Sequence, residues 1–273
     1  MQTAPLLVLG ATGKTGRRIV RRLTDQGLPV REGSRRGDPA FAWDDPAGWP
    51  AVLEGVSAVY ISFFPDLIVD GALEAITELT RVAREAGVQR LVLLSGRGEP
   101  NARRCEQVVL GSGVPATVLR AAWFAQNFSE GHLRDLVFEG ALALPAGETR
   151  EPLVDADDIA DVAVAALTED GHAGQVYELT GPRLLGFDEV AAELSGAAQR
   201  PVQYVPVTRE AFHAGVTESV GPEMGDLLAE LCGELLDGRN EWLGDGVQRA
   251  LGREPRDFAA VCAEAATAGA WTD

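Results

Sequence analysis

The sequence predicts an α/β fold: a Rossmann-type, doubly wound parallel sheet with a small, mostly helical C-terminal lobe. Three observations predict it. An apolar run, Pro5–Leu9, ends in the glycine-rich segment Gly10–Gly16. Short apolar runs then alternate with helical stretches as far as residue 121. Beyond Thr208 the pattern is helical, broken at Gly221, Gly233 and Gly244.

Taken in order, Pro5–Leu9 reads as a buried strand, and Gly16–Gln26 as a helix with Ile19, Val20 and Leu23 on one face and arginines on the other. Gly27-Leu28-Pro29 ends that helix, and Pro29–Gly33 resumes as strand. Ala58–Phe63 and Arg90–Leu94 are strands flanking a helix over Leu67–Ala86. Asn101–Leu110 is helical and Ala116–Arg120 a strand. Asp155–Leu167 opens with carboxylates, which suit a helix N-terminus and make capping the expected role of Asp157 and Asp158. Gln175–Thr180 and Val202–Val205 are strands, with a helix over Phe187–Ser195 between them. Strands alternating with helices of this length imply a parallel sheet covered on both faces. The expected organisation is a cofactor-binding Rossmann domain over 1–150, with the helix and strand of 151–180 packing back on it. A smaller, substrate-covering lobe follows over 181–273.

Composition excludes several classes of function. The 273 residues carry 41 acidic against 24 basic side chains, a net charge of −17, which repels phosphate backbones and anionic lipid. No nucleic-acid or membrane partner is expected, no apolar run reaches the ~20 residues of a membrane span, and the start is too short and uncharged for a signal peptide. The expected location is cytoplasmic, as a monomer or homodimer. Cys105, Cys232 and Cys262 lie far apart without metal-ligand or redox spacing, so they read as small buried hydrophobes and no metal is expected. Lys14 is the only lysine of the chain.

The glycine segment is the strongest local signal. In Gly10-Ala11-Thr12-Gly13-Lys14-Thr15-Gly16, Gly10 allows the tight turn, Gly13 the approach of backbone to a pyrophosphate, and Gly16 close helix–sheet packing. A dinucleotide site follows from this strand–turn–helix context. The end of the second strand selects which one. An NAD site places a carboxylate about 20 residues past the glycines. Here the stretch is Ser34-Arg35-Arg36, whose guanidinium forks suit a ribose 2′-phosphate, with Glu32 as the one dissenting residue. The predicted cofactor is NADP(H).

With these features the chain resembles the NmrA-like branch of the atypical short-chain dehydrogenases/reductases, related to isoflavone-reductase-like proteins. The resemblance runs nearly end to end. It includes the Gly10–Gly16 loop, Gly55-Val56 before what would be the fourth strand, and the run from Ser112 to Arg120. It continues through Phe124, Asn127-Phe128, Asp157-Asp158-Ile159-Ala160 and Leu179-Thr180-Gly181-Pro182 to Gly246-Val247-Gln248, Leu251-Gly252-Arg253 and Phe258. The family implies reductases for quinones and other conjugated acceptors, or catalytically silent sensors of the dinucleotide's redox state. By position it implies that Ser62–Pro65 (Ser62, Phe63 and Phe64 foremost) pass the pyrophosphate and nicotinamide ribose, that Ser95 and Gly96 lie beside the nicotinamide, and that Trp123 and Phe124 wall its pocket.

The departures from the family matter as much. The usual pair of a tyrosine and a lysine four residues on is impossible, since Tyr60, Tyr177 and Tyr204 have no lysine near them. The lysine that isoflavone-reductase-like proteins carry after the fifth strand is replaced by Pro100–Cys105. The first reading is hydride transfer from NADPH to a quinone-like or conjugated aromatic acceptor, with water, Ser95 or Arg97 settling the resulting anion and His132 a weaker candidate. Phe63, Phe64, Trp123, Phe124 and Phe128 are candidate pocket aromatics. Phe64, Arg97, Trp123, Phe124 and Asn127 are the expected substrate neighbours, at the ends of the fourth, fifth and sixth strands. The alternatives are a dinucleotide-sensing regulator without catalysis and a non-redox cyclase- or isomerase-like enzyme.

Overall fold

A computed structural model of the chain describes residues 4–272. The first part alternates strictly: β1 (Leu6–Leu9), α1 (Lys14–Asp25), β2 (Val30–Gly33), a short α2 (Trp49–Leu53), β3 (Ala58–Ile61), α3 (Ala72–Glu85), β4 (Arg90–Gly96), α4 (Pro100–Leu110) and β5 (Ala116–Ala121). Then come α5 (Asn127–Glu130), α6 (His132–Glu139), β6 (Ala141–Leu144), β7 (Arg150–Glu151), α7 (Ala156–Thr168) and β8 (Val176–Leu179). The chain continues through β9 (Leu185–Gly186), α8 (Phe187–Ala198), β10 (Gln203–Pro206), α9 (Arg209–Val220), α10 (Pro222–Leu235), α11 (Gly246–Leu251) and α12 (Phe258–Thr267).

Six strands form one sheet in the order β2-β1-β3-β4-β5-β8, every neighbouring pair parallel. The order reverses between β1 and β3, which makes that crevice the topological switch point. Leu7, Leu9, Val59, Ile61, Leu91 and Leu93 point to one face and build a core with α2, α3 and α4. This face is buried by helix, as an all-parallel sheet requires. Ala58–Ile61 is the third strand rather than the fourth: between β2 and β3 the described chain is turn and helix, where Phe41 stacks on Trp49 and Trp43 packs edge-on against both.

The chain divides into two compact units. The first comprises Met1–Ala121, Ala156–Leu179 and Gly244–Arg253, and the second Ala122–Asp155, Thr180–Leu243 and Glu254–Asp273. The expected break near 150 therefore falls earlier, and the segment 244–253 returns to the first unit. Its return has a physical cause in the first unit's own contacts. Arg249 lies over the Tyr177 ring at 5.2 Å, and Arg253 forms ion pairs with Asp158 at 2.7 Å and Asp161 at 2.6 Å. The second unit has its own core, with Phe128, Leu142, Leu144, Phe187, Val190, Leu194, Phe258 and Trp271 buried together. Its two small sheets, β10 beside β6 and β7 against β9, pair short segments far apart in sequence.

Candidate functional site

The glycine loop takes its shape from the switch point. Gly10 follows β1 with φ +71°, and a Cβ there would lie 3.3 Å from the Ser62 side chain at the end of β3. Gly10 N donates to Gly33 O at 3.1 Å and Gly13 N to Gly10 O at 2.9 Å, closing the turn. At Gly16 a Cβ would collide with the backbone of Gly10 and Ala11, so helix and loop meet without a side chain between them. The N-cap of α1 is Gly13, which offers no side-chain cap, and the first turn holds no acidic residue. A helix start of this kind leaves amide donors and the positive end of the helix dipole for an anion.

Of the loop residues, Thr12 and Gly13 are exposed and Lys14 is half-buried. Thr15 is buried, and its hydroxyl accepts a hydrogen bond from Tyr60 Oη at 2.9 Å. Its side chain therefore ties α1 to β3, and only its backbone remains for a ligand. Burial drives the Tyr60 hydroxyl well above the usual tyrosine range, keeping it neutral.

Past β2, Gly37 N and Phe41 N both donate to Ser34 O, at 3.0 and 2.9 Å, and close a turn that carries Arg35 and Arg36 at its tip. Ser34 is half-buried and both arginines are exposed. Neither guanidinium has an ion-pair partner among the described residues. Elsewhere in this unit, Arg18 and Arg22 bind Asp157 at 2.9 and 2.7 Å, and Arg22 also binds Asp161 at 2.6 Å. Asp157 and Asp158 stand inside the first turn of α7, where Asp157 pairs with Arg18 and Arg22 and Asp158 with Arg253.

The ends of β3 and β4 form the other part of the rim. Ser62 is half-buried. Phe63 packs on Trp43 with ring centroids 4.6 Å apart, so it belongs largely to the core, whereas Phe64 is 66% exposed. β4 runs through Ser95 and Gly96. Ser95 is buried and its hydroxyl donates to Glu106 Oε1 at 2.7 Å. Arg120 reaches the same carboxylate, with Nε at 2.9 Å, and also binds Glu178. Arg97, only 2% exposed, closes the chain by binding Glu178 at 3.1 Å. Ser95 and Arg97 are thus held in a buried polar network across β4, α4, β5 and β8. Glu106, Arg120 and Glu178 were not singled out by the sequence, although Arg120, a charge within the otherwise uncharged strand β5, was the available signal.

In the second unit Trp123 is half-buried, edge-on to Phe187 at 6.4 Å. Phe124 bridges to Val154, and Asn127 opens α5 with its N–H on Phe124 O at 3.0 Å. Phe128 is a core residue, packed on Phe258, and is not available to line a pocket. His132 begins α6, and its side chain lies outside the described residues. His172 is buried, with Nδ1 2.9 Å from Tyr177 Oη, and His213 pairs with Asp226 at 2.6 Å. Tyr204 Oη donates to Gly147 O at 2.9 Å. The three cysteines are free and buried, their thiols pushed up by desolvation, Cys105 to about 11 and Cys232 and Cys262 to about 12. Among the described residues no cluster of His, Cys, Asp and Glu converges as a metal site, and no helix is long and apolar enough to cross a membrane.

A parallel six-stranded sheet, a glycine loop at its switch point and an uncapped helix start define a Rossmann-type dinucleotide-binding protein. No protein-family model matches the chain. The chain is 34% identical to an NAD(P)H azoreductase of Xenophilus azovorans over 97% of its length and 99% of that protein's. It is 31% identical to a (4-alkanoyl-5-oxo-2,5-dihydrofuran-3-yl)methyl phosphate reductase of Streptomyces griseus, over 96% and 98% of the two chains. Among solved structures it is similar to the NADP(H) complex of Citrobacter sp. triphenylmethane reductase, with a TM-score of 0.76, 22% identity and coverage of 96% and 99%. An NADPH complex of the Escherichia coli quinone oxidoreductase QOR2 gives a TM-score of 0.77 at 21% identity, covering 95% and 99%. The chain belongs to the NmrA-like family of atypical short-chain dehydrogenases/reductases.

Proposed function

We propose that the protein is an NADP(H)-dependent oxidoreductase that transfers hydride to a flat, conjugated acceptor of quinone or aromatic carbonyl type, without the usual tyrosine–lysine pair. The observation that carries this reading is the turn after β2, where two exposed, unpaired arginines stand beside the glycine loop in a chain of net charge −17. A dianionic 2′-phosphate is the ligand such a turn suits. The full-length likeness to reductases of azo compounds and of a furan-derived phosphate supports the reaction class.

The protein's part is binding and orientation. The amides at the start of α1 would hold the pyrophosphate, and Arg35 and Arg36, with the Ser34 hydroxyl, the 2′-phosphate. Gly10 leaves space beside Ser62 for the dinucleotide to cross from β1 to β3. When bound, the cofactor supplies the hydride. Phe64, exposed at the end of β3, offers an aromatic face to a flat acceptor. No tyrosine is poised to deliver a proton. Tyr60 binds Thr15, Tyr177 faces His172 and Tyr204 binds a carbonyl.

The test is NADPH oxidation, followed by absorbance, against a panel of quinones, azo compounds and conjugated carbonyls. Turnover of at least one class supports the reading. Tight NADPH binding with no turnover of any class would favour the second reading, a dinucleotide-sensing regulator, for which the engaged tyrosine hydroxyls speak.

A further inference from the structure

The adenosine half of a dinucleotide has to reach from a pyrophosphate at the glycine loop to a 2′-phosphate at the turn after β2. Both ends of that span are tied to one group of aromatic rings. Phe41 N donates to Ser34 O at 2.9 Å, so the aromatic segment begins where the arginine turn closes. Phe63 directly follows Ser62, whose side chain borders Gly10. Trp43 joins the two, with its ring centroid 5.0 Å from Phe41 and 4.6 Å from Phe63. Phe41 and Trp49 are buried, whereas Trp43 and Phe63 are half-buried, packed against the core but not enclosed by it.

The packing around Trp43 fixes its ring without stacking on it. Phe41 and Trp49 meet it edge-on, at interplanar angles of 87° and 80°, and Phe63 meets it at a tilt of 53°. None of the three lies parallel to the indole, so a flat base would be its first parallel partner, on a ring already oriented by its neighbours. Polar readout of a base is poorly served at the same place. Ser34 O already accepts from Gly37 N and Phe41 N, and Ala42 O from Trp49 Nε1 at 2.8 Å and Asp45 N at 3.4 Å. A carbonyl oxygen has two lone pairs, so both acceptors are filled.

We infer that Trp43, held in place by Phe41, Trp49 and Phe63, is the surface on which the adenine of the dinucleotide stacks, and that the base is bound by its flat face rather than through its 6-amino group. The inference rests on the NADP(H) reading. Stacking on an aromatic ring is tolerant of which base is bound, because every base has a π-face. The adenosine end therefore divides its work. Arg35 and Arg36 select the 2′-phosphate by charge, and Trp43 adds affinity for a purine without reading the substituent at its 6-position.

Two ligands titrated into the full-length protein test this. One is 2′,5′-ADP, which carries the base and the 2′-phosphate without the nicotinamide; the other is inosine 2′,5′-bisphosphate, which lacks the 6-amino group. Both should quench the parent's tryptophan emission and bind within about threefold of each other. Trp43→Leu keeps apolar bulk without a flat ring, and should weaken 2′,5′-ADP about tenfold or more and lose most of the quench. Trp43→Phe keeps a flat ring and should bind within about threefold of the parent. Melting curves check the fold of both variants. Binding of 2′,5′-ADP to the parent without quenching overturns the stacking, and that result needs no variant. Leu and Phe variants that lose affinity equally make Trp43 a core residue only, and a Leu variant that binds as the parent does removes Trp43 from the site; either overturns the inference. Inosine 2′,5′-bisphosphate bound about tenfold more weakly than 2′,5′-ADP overturns recognition by the flat face and assigns the base to a hydrogen bond, for which the exposed Asp44 carboxylate stands next in sequence. A parent that binds neither compound nor NADPH refutes the NADP(H) reading and the subsite with it. Any of the other contrary results in a parent that binds NADPH refutes the subsite alone.

Discussion

The two ends of the dinucleotide-binding face differ in where their charges point. At the turn after β2, Arg35 and Arg36 are exposed, and no carboxylate of the described chain answers them. At the ends of β4 and β5, Arg97 and Arg120 are buried, Arg97 answered by Glu178 and Arg120 by Glu106 and Glu178. The same residue type serves opposite purposes. An exposed arginine without a partner suits an anionic ligand, as proposed for Arg35 and Arg36, while a buried one with two carboxylates is a structural group that holds strands in register. Counting arginines near a site therefore says little until burial and partners are known.

That contrast is broken or kept most visibly by removing a buried charge. Arg120→Met leaves the Glu106 and Glu178 carboxylates without their main counter-charge, and should cost about 3–5 kcal/mol of folding stability. Urea denaturation of parent and variant measures it. A loss below about 1 kcal/mol would mean the network is better solvated than its burial implies.

An intermediate case lies between α1 and α7, where Asp157 meets Arg18 and Arg22. Burial raises this carboxyl, but hydrogen bonds and charges from the two arginines outweigh it and hold its pKa below the ordinary value. A depressed folded-state pKa stabilises the fold above the unfolded value, about 3.9, and that contribution is lost as pH falls through the lower folded value. Asp157→Asn should therefore cost about 2 kcal/mol at pH 7, with the difference from the parent shrinking below pH of about 4. A gap that persists undiminished at pH 3 would assign the effect to packing rather than charge.

The smallest effect is expected at the tyrosines. Tyr60→Phe removes one buried hydroxyl and leaves Thr15 without its donor, a loss of about 1 kcal/mol in stability. Turnover should stay within a few-fold, as it should for Tyr177→Phe and Tyr204→Phe. A hundredfold fall in any of them, with folding intact, would identify that tyrosine as a general acid.

How much of this was legible in the sequence follows the same divide between local and distant contacts. Four of the five strands to residue 121, β1, β3, β4 and β5, were readable because each is four to seven residues of largely apolar sequence, whereas β2 carries Arg31 and Glu32. The glycine loop was readable because strand, turn and helix are contiguous. The strand β6 was not, because Ala141–Leu144 pairs with Gln203–Pro206, some sixty residues on, and nothing in either segment announces the other. The aromatic run Phe41-Ala42-Trp43 does not show by itself that it packs with Trp49 as a cluster. Phe63 and Phe64 are neighbours in sequence with opposite fates, one on Trp43 and one in solvent, which periodicity beyond the end of β3 does not resolve. Ser95 and Arg97 were legible as polar residues at a strand end. Their partners come from α4 and β8, so their commitment to Glu106 and Glu178 was not.

The central claim is that the turn at Ser34–Arg36 makes this an NADP(H) protein. Calorimetric titration of NADPH and NADH into the parent and into Arg35→Ala tests it most directly. The parent should bind NADPH at least tenfold more tightly than NADH, about 1.4 kcal/mol, and the variant should lose most of that gap through weaker NADPH binding while NADH binds as before. Equal affinities of the parent for both dinucleotides would contradict the account and make Glu32 the ribose ligand.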